Sequence, residues 1–133
     1  MAKELLIGNW WDGTGPLEWT RKAGPRKKFG IPGEACTIAV NYVHVEPHSG
    51  SGKDRPQHSH EHEQIMLILE GDGNLICDGV AYPMHDGSYA VIPANVPHKF
   101  DASDCCRPNI LNIDIFTPTR PEFVTWKEGE EEK

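Results

Sequence analysis

From Cys36 onward the chain is built of short apolar or alternating runs divided by turn-forming residues. CTIAVNYVHVE, residues 36–46, alternates and is rich in β-branched side chains, which predicts a strand. QIMLILEG, residues 64–71, is a continuous apolar strand that stops at a glycine turn. NLICDG, VAYPM, SYAVIP, HKFDA and NILNIDIF follow, each short and bounded by Gly, Pro, Asp or Asn. No segment has the pattern of an amphipathic helix of ten or more residues. Strands recurring every ~8–12 residues predict an antiparallel sandwich or barrel. HSGSGKDRP, residues 48–56, reads as a loop. Residues 8–34 show no period and read as a loosely structured arm with short strands. The division expected is an arm over residues 1–35, a barrel over 36–120, and an extension over 121–133 that ends in a frayed acidic tail.

Length adds that 133 residues suit one domain, large enough to bury a core without disulfides. A formal net charge of −7 argues against a nucleic-acid partner. The start, MAKELLIGNWW, lacks the apolar stretch of a secretory signal, and nothing approaches the roughly 18 apolar residues of a membrane span. Cys36, Cys77, Cys105 and Cys106 form no CxxC pair, so reduced thiols in a cytoplasm are expected. Adjacent Cys105 and Cys106 are read as ordinary thiols in preference to a redox pair. The run Arg21, Lys22, Arg26, Lys27, Lys28 is read first as a solvated face and second as an anion attractor.

Candidate chemistry starts at GKDRPQHSHEHEQIMLILEG, residues 52–71. His58 and His60 are two apart, which on extended backbone points both imidazoles to one face. The polar EHE, residues 61–63, suits a turn, and Gln64 then opens an antiparallel neighbour and can return to that face. IPANVPHKF supplies His98 from a distant strand. Three neutral imidazoles and an amide oxygen suit one divalent first-row ion: Zn, Ni, Fe, Mn or Co. An isolated HxH is weak evidence in a chain with seven histidines; the glycine framing and the separately framed His98 strengthen it.

These segments resemble the two motifs of the cupin superfamily. The first motif reads here as Gly52, His58, His60, Gln64 and Gly71, and the second as Gly87, Pro93, Asn95, His98 and Ala102. The resemblance spans roughly residues 36–116 and implies an all-β double-stranded β-helix, a jelly-roll barrel, with one metal per chain. Asn95 replaces a turn glycine, and asparagine tolerates left-handed backbone. Ala102 replaces a terminal Asn that is not a ligand. Gln64 replaces the usual Glu ligand and leaves the site one unit more positive, which favours Lewis-acid chemistry on an oxyanion over oxidation. His62 is the substitute ligand if Gln64 does not bind.

Strand parity extends the reading. With Gln64 inside, Met66 and Ile68 are inside too, while Ile65, Leu67 and Leu69 face outward. Asn112, Asp114 and Phe116 suit a pocket lining, and Leu111, Ile113 and Ile115 the outer face. The outer apolar rows need cover, expected from the residue 8–34 arm and from a second subunit, hence a homodimer.

In IDIFTPTRPEF, residues 113–123, Asp114 is a candidate general acid or base, and Arg120 a candidate two-point clamp for a carboxylate. On residue chemistry alone, pairing of Asp114 with Arg120, or an Arg120 that merely caps a loop, is the slightly stronger reading. The D-x-F-T-P-x-R pattern from Asp114 to Arg120, and HSHEHEQ from His58 to Gln64, resemble single-domain cupins that open the ring of 4,5-unsaturated uronates from pectin or alginate. That resemblance implies that Asp114 moves the proton, Arg120 holds the substrate carboxylate and Phe116 shapes the pocket wall. The rivals are a cupin lyase using tyrosines such as Tyr42, Tyr82 or Tyr89, a dioxygenase, a non-catalytic sugar- or metal-binding module, and a structural cupin.

Overall fold

A computed structural model describes residues 5–20 and 26–130. Arg21 and Lys22 of the basic run, residues 1–4 of the start, and residues 131–133 of the acidic tail lie outside the described residues. Eight strands follow in order: β1 (Arg26–Pro32), β2 (Thr37–His44), β3 (Glu63–Glu70), β4 (Asp72–Cys77), β5 (Val80–His85), β6 (Tyr89–Ile92), β7 (His98–Asp101) and β8 (Asn109–Thr117). They form one antiparallel sheet of order β1-β2-β8-β3-β6 and a second of order β5-β4-β7, the two layers of a jelly roll. β2 to β8 fall on the runs that the sequence marks as strands. β1 lies within the segment read as the arm: RKKFGIP alternates poorly, and its pairing with β2 makes it a strand.

Register fixes the faces. Gln64 lies opposite Ile92 on one side and Phe116 on the other, and Met66 opposite Ala90 and Asp114. Between the sheets, Met66, Ile68, Leu75, Met84 and Ile92 form the main buried cluster. Val45, Cys105 and Ile110 fill the far end. Each such large apolar side chain contributes roughly 1.5–3 kcal/mol when fully buried. Parity holds along β3 as far as Ile68; beyond it the ladder with β8 shifts register at Leu69.

The outer face of β1, β2 and β8 is covered from within the chain. Leu17, Phe29, Val40 and Leu111 are buried there against Trp10, Trp19 and Trp126. Leu17 of the arm also forms a β-bridge with Trp126, so both ends of the chain meet on this face. The cover stops before β6, where Tyr89 and Val91 remain 76% and 57% exposed, beside Leu69 at 46%.

After β8 the chain passes through a 3₁₀ turn, Pro121–Phe123, and crosses β1 at Gly30. A Cβ at Gly30 would overlap the Phe123 carbonyl oxygen, so only glycine permits this crossing. The Gly30 amide donates to Thr125 Oγ1 at 2.9 Å, and the Thr125 amide donates to the Gly30 carbonyl at 3.2 Å. The extension is thereby stitched to the edge strand and brings Arg120 and Phe123 back toward the barrel interior.

Candidate metal centre

Backbone pairing places the first two histidines. The His58 amide donates to the His98 carbonyl at 2.9 Å, and the His98 amide donates to the His58 carbonyl at 2.8 Å. Residues paired in this way project side chains to one face. Two residues on, the Asn95 amide donates to the His60 carbonyl at 2.7 Å. Asn95 has φ +66°, the left-handed turn that the sequence expects of it. His58 and His98 thus come from the small-sheet side, and Gln64 reaches them from β3 of the large sheet.

One nitrogen from each of His58, His60 and His98 lies within 4.8 Å of the others. His60 Nδ1 lies 2.9 Å from the His62 carbonyl and His98 Nδ1 2.9 Å from the Val96 carbonyl. A carbonyl only accepts, so each Nδ1 carries the proton and each neutral ring keeps a lone pair on Nε2. Both Nε2 atoms face Gln64 Oε1, at 3.2 Å and 3.1 Å. The amide cannot be turned, because Gln64 Nε2 donates to Asp114 Oδ1 at 2.9 Å. Lone-pair atoms therefore converge with no proton among them, an arrangement that a cation satisfies. Burial and the neighbouring histidines and arginines hold the His58 pKa below the ordinary histidine value, and burial does the same for His98, which favours the neutral ligand form. His62 stands outside the cluster, its ring against His60 and Phe116.

Asp114 sits behind Gln64. Its Oδ2 accepts from Asn41 Nδ2 at 2.9 Å and from Asn112 Nδ2 at 3.2 Å, in addition to the Gln64 contact on Oδ1. Burial pushes its pKa up to about 6, while the three amide donors pull the other way. Asp114 and Arg120 are not paired with each other: Arg120 Nε lies 3.3 Å from Glu122 Oε2. The guanidinium stacks over Phe123 at 4.1 Å and Phe116 at 5.1 Å from the ring centroids. The three histidines, Gln64, Asp114 and Arg120 all line one cavity of about 570 Å³. Among the described residues no tyrosine lines it: Tyr42 packs with Trp11 and Trp19, and Tyr82 and Tyr89 are exposed.

The Cupin domain family model matches residues 41–104, the stretch that carries all four candidate ligands. This stretch is similar to the cupin family, and β1, the first half of β2 and β8 complete the barrel around it. The chain is similar to an RmlC-like cupin from Shewanella frigidimarina NCIMB 400, with TM-score 0.64, 22% identity, and coverage of 81% of this chain and 89% of that one. KdgF from Halomonas sp. is similar at TM-score 0.68 and 18% identity, over 92% of this chain and 100% of that one. The iron(II) form of HppE is similar at TM-score 0.57 and 13% identity, over 69% of this chain but 50% of that one. At these identities the likeness is one of fold. No curated protein matches the sequence.

Within the cupin cavity, His58, His60, Gln64 and His98 are the residues that would hold the metal, which when bound supplies a Lewis acid for a ligand oxygen. Asn112 lines the cavity with Asp114 and Phe116, as strand parity expects, whereas the sequence gives no sign of Asn41, because an asparagine in a strand carries no motif. Sequence reading also missed Arg55 and Lys99 in the lining, although parity on β7 offered a signal for Phe100.

Proposed function

We propose that this cupin is a metal-dependent enzyme acting on a small oxyanion, and that its reaction is ring-opening isomerisation of a 4,5-unsaturated uronate. The observation that carries the reading is the shared cavity: one space is lined by a metal-type donor set, a carboxylate with raised pKa, and an aromatic-backed arginine. Arg120 holds the substrate carboxylate, since its fork is oriented by Phe116 and Phe123. Asp114 takes the proton of the anomeric hydroxyl. The ring C–O bond then opens to an aldehyde and an enolate, and the proton returns to the adjacent ring carbon. Atoms balance without a co-substrate. The motif likeness from His58 to Gln64 and from Asp114 to Arg120 supports this choice. The free cysteines suit a reducing compartment.

The test is ultraviolet absorbance of a 4,5-unsaturated galacturonate monomer with metal-loaded protein. Loss of the enol-ether band faster than the spontaneous rate, and abolished by chelator, is the expected result. No acceleration with confirmed metal would remove the reaction. One observation favours a second reading, a binding module: the three amides on Asp114 occupy it as they would a purely orienting carboxylate. That reading expects chelator-sensitive sugar-acid binding without turnover.

A further inference from the structure

The loop that leads from β2 to the metal ligands, residues 48–57, is exposed throughout, so apolar packing does not hold it in place. Backbone bonds anchor its two ends. The His48 and Gly50 amides donate to the Cys105 and Ser103 carbonyls at 3.0 Å and 2.8 Å, and at the other end His58 pairs with His98. Between these anchors the Lys53 and Arg55 amides donate within the loop, to the Gly50 and Gly52 carbonyls. Gly50 and Gly52 are left-handed, with φ +75° and +78°, so the stretch turns on itself and away from the strands. A side chain spans the gap. Lys99, on β7 next to the ligand His98, donates from Nζ to the Lys53 carbonyl at 2.8 Å and to the Arg55 carbonyl at 2.6 Å. A charged donor makes such a bond roughly twice as strong as a neutral one. The loop held in this way carries Ser51 and Arg55 into the lining of the metal cavity, which Lys99 also lines, and then runs directly into His58.

We propose that Lys99 is a positioning residue: its ammonium pins the loop across the mouth of the metal cavity and limits exchange between the cavity and solvent. The proposal rests on the reading of His58, His60, Gln64 and His98 as metal ligands. Two effects of removing Lys99 have opposite signs, which makes the test decisive. Loss of a nearby positive charge alone would hold a cation more tightly and slow its release. A freed loop admits a competing chelator and speeds release. The test is the rate at which the zinc-loaded protein gives up its metal to the chromophoric chelator pyridylazoresorcinol, in the wild type, Lys99→Met and Lys99→Arg. Lys99→Met is expected to retain one zinc per chain but to release it about tenfold faster, the effect of losing a charge-assisted hydrogen bond. Lys99→Arg keeps donors for both carbonyls and should release zinc at close to the wild-type rate. Hydrogen exchange of the same proteins should rise in Lys99→Met within the loop alone. Release from Lys99→Met at or below the wild-type rate would overturn the pin. So would equal acceleration in Lys99→Arg, or faster exchange spread over the whole barrel. A wild type that takes up no zinc would overturn the ligand reading and the pin with it.

Discussion

Asp114 accepts amide protons from side chains on three different strands: Asn41 on β2, Gln64 on β3 and Asn112 on β8 itself. The Gln64 contact decides which end of that amide faces the histidines, so Asp114 acts on the metal centre without touching it. Asp114→Asn puts a competing NH₂ where Gln64 needs an acceptor, and Oε1 loses its enforced direction. Metal affinity should fall by roughly 10–100-fold, the usual cost of losing an outer-shell partner, read by competition with a chromophoric chelator. If Asp114 also carries the proton, uronate turnover stays lost at saturating metal; recovered turnover would leave it an orienting residue alone. At this scale the sequence is legible where chemistry and spacing coincide. His58, His60 and His98 are marked by HxH and by proline-framed turns, and the structure gathers all three. Gln64 is legible through its position after the turn. Asn112 shares the face of Asp114 by parity, but the Asn41 contact is not legible, because it depends on the β2–β8 register.

Among the elements, the runs from Cys36 to Phe116 announce their strands because alternation and turn residues agree. β1 falls in the arm expected to carry short strands, but three basic residues, a glycine and a proline obscure its period, and its bounds come from pairing with β2. The same glycine explains how the C-terminal extension reaches the site. Gly30→Ala would push the Phe123 carbonyl off β1 and strain the two Thr125 hydrogen bonds. A loss of about 1–3 kcal/mol in urea unfolding is expected, the usual range for overpacking. A variant as stable as the wild type would mean that the extension does not rest on Gly30. Because Arg120 and Phe123 ride on that extension, the variant should also weaken binding of an acid.

For the whole molecule, the outer face sets the question of assembly. Trp10, Trp19 and Trp126 cover β1, β2 and β8, so the cover expected of the arm is present there. Tyr89, Val91 and Leu69 continue the apolar rows of Ile65 and Leu67 toward an open edge. We infer that a second copy covers it, and sedimentation at micromolar concentration should give a dimer mass; a monomer mass would show that this face stands free. Inside, the metal centre joins the two sheets, since Gln64 belongs to the large sheet and His98 to the small one. Binding to the folded state alone must then stabilise it, and zinc should raise the melting temperature. The most direct measurement is zinc content after equilibrium dialysis, in the wild type and in His60→Ala and His98→Ala, each checked for folding by circular dichroism. The donor set predicts one zinc per chain in the wild type and its loss from both folded variants. Unchanged zinc in both would contradict the ligand assignment on which the account is built.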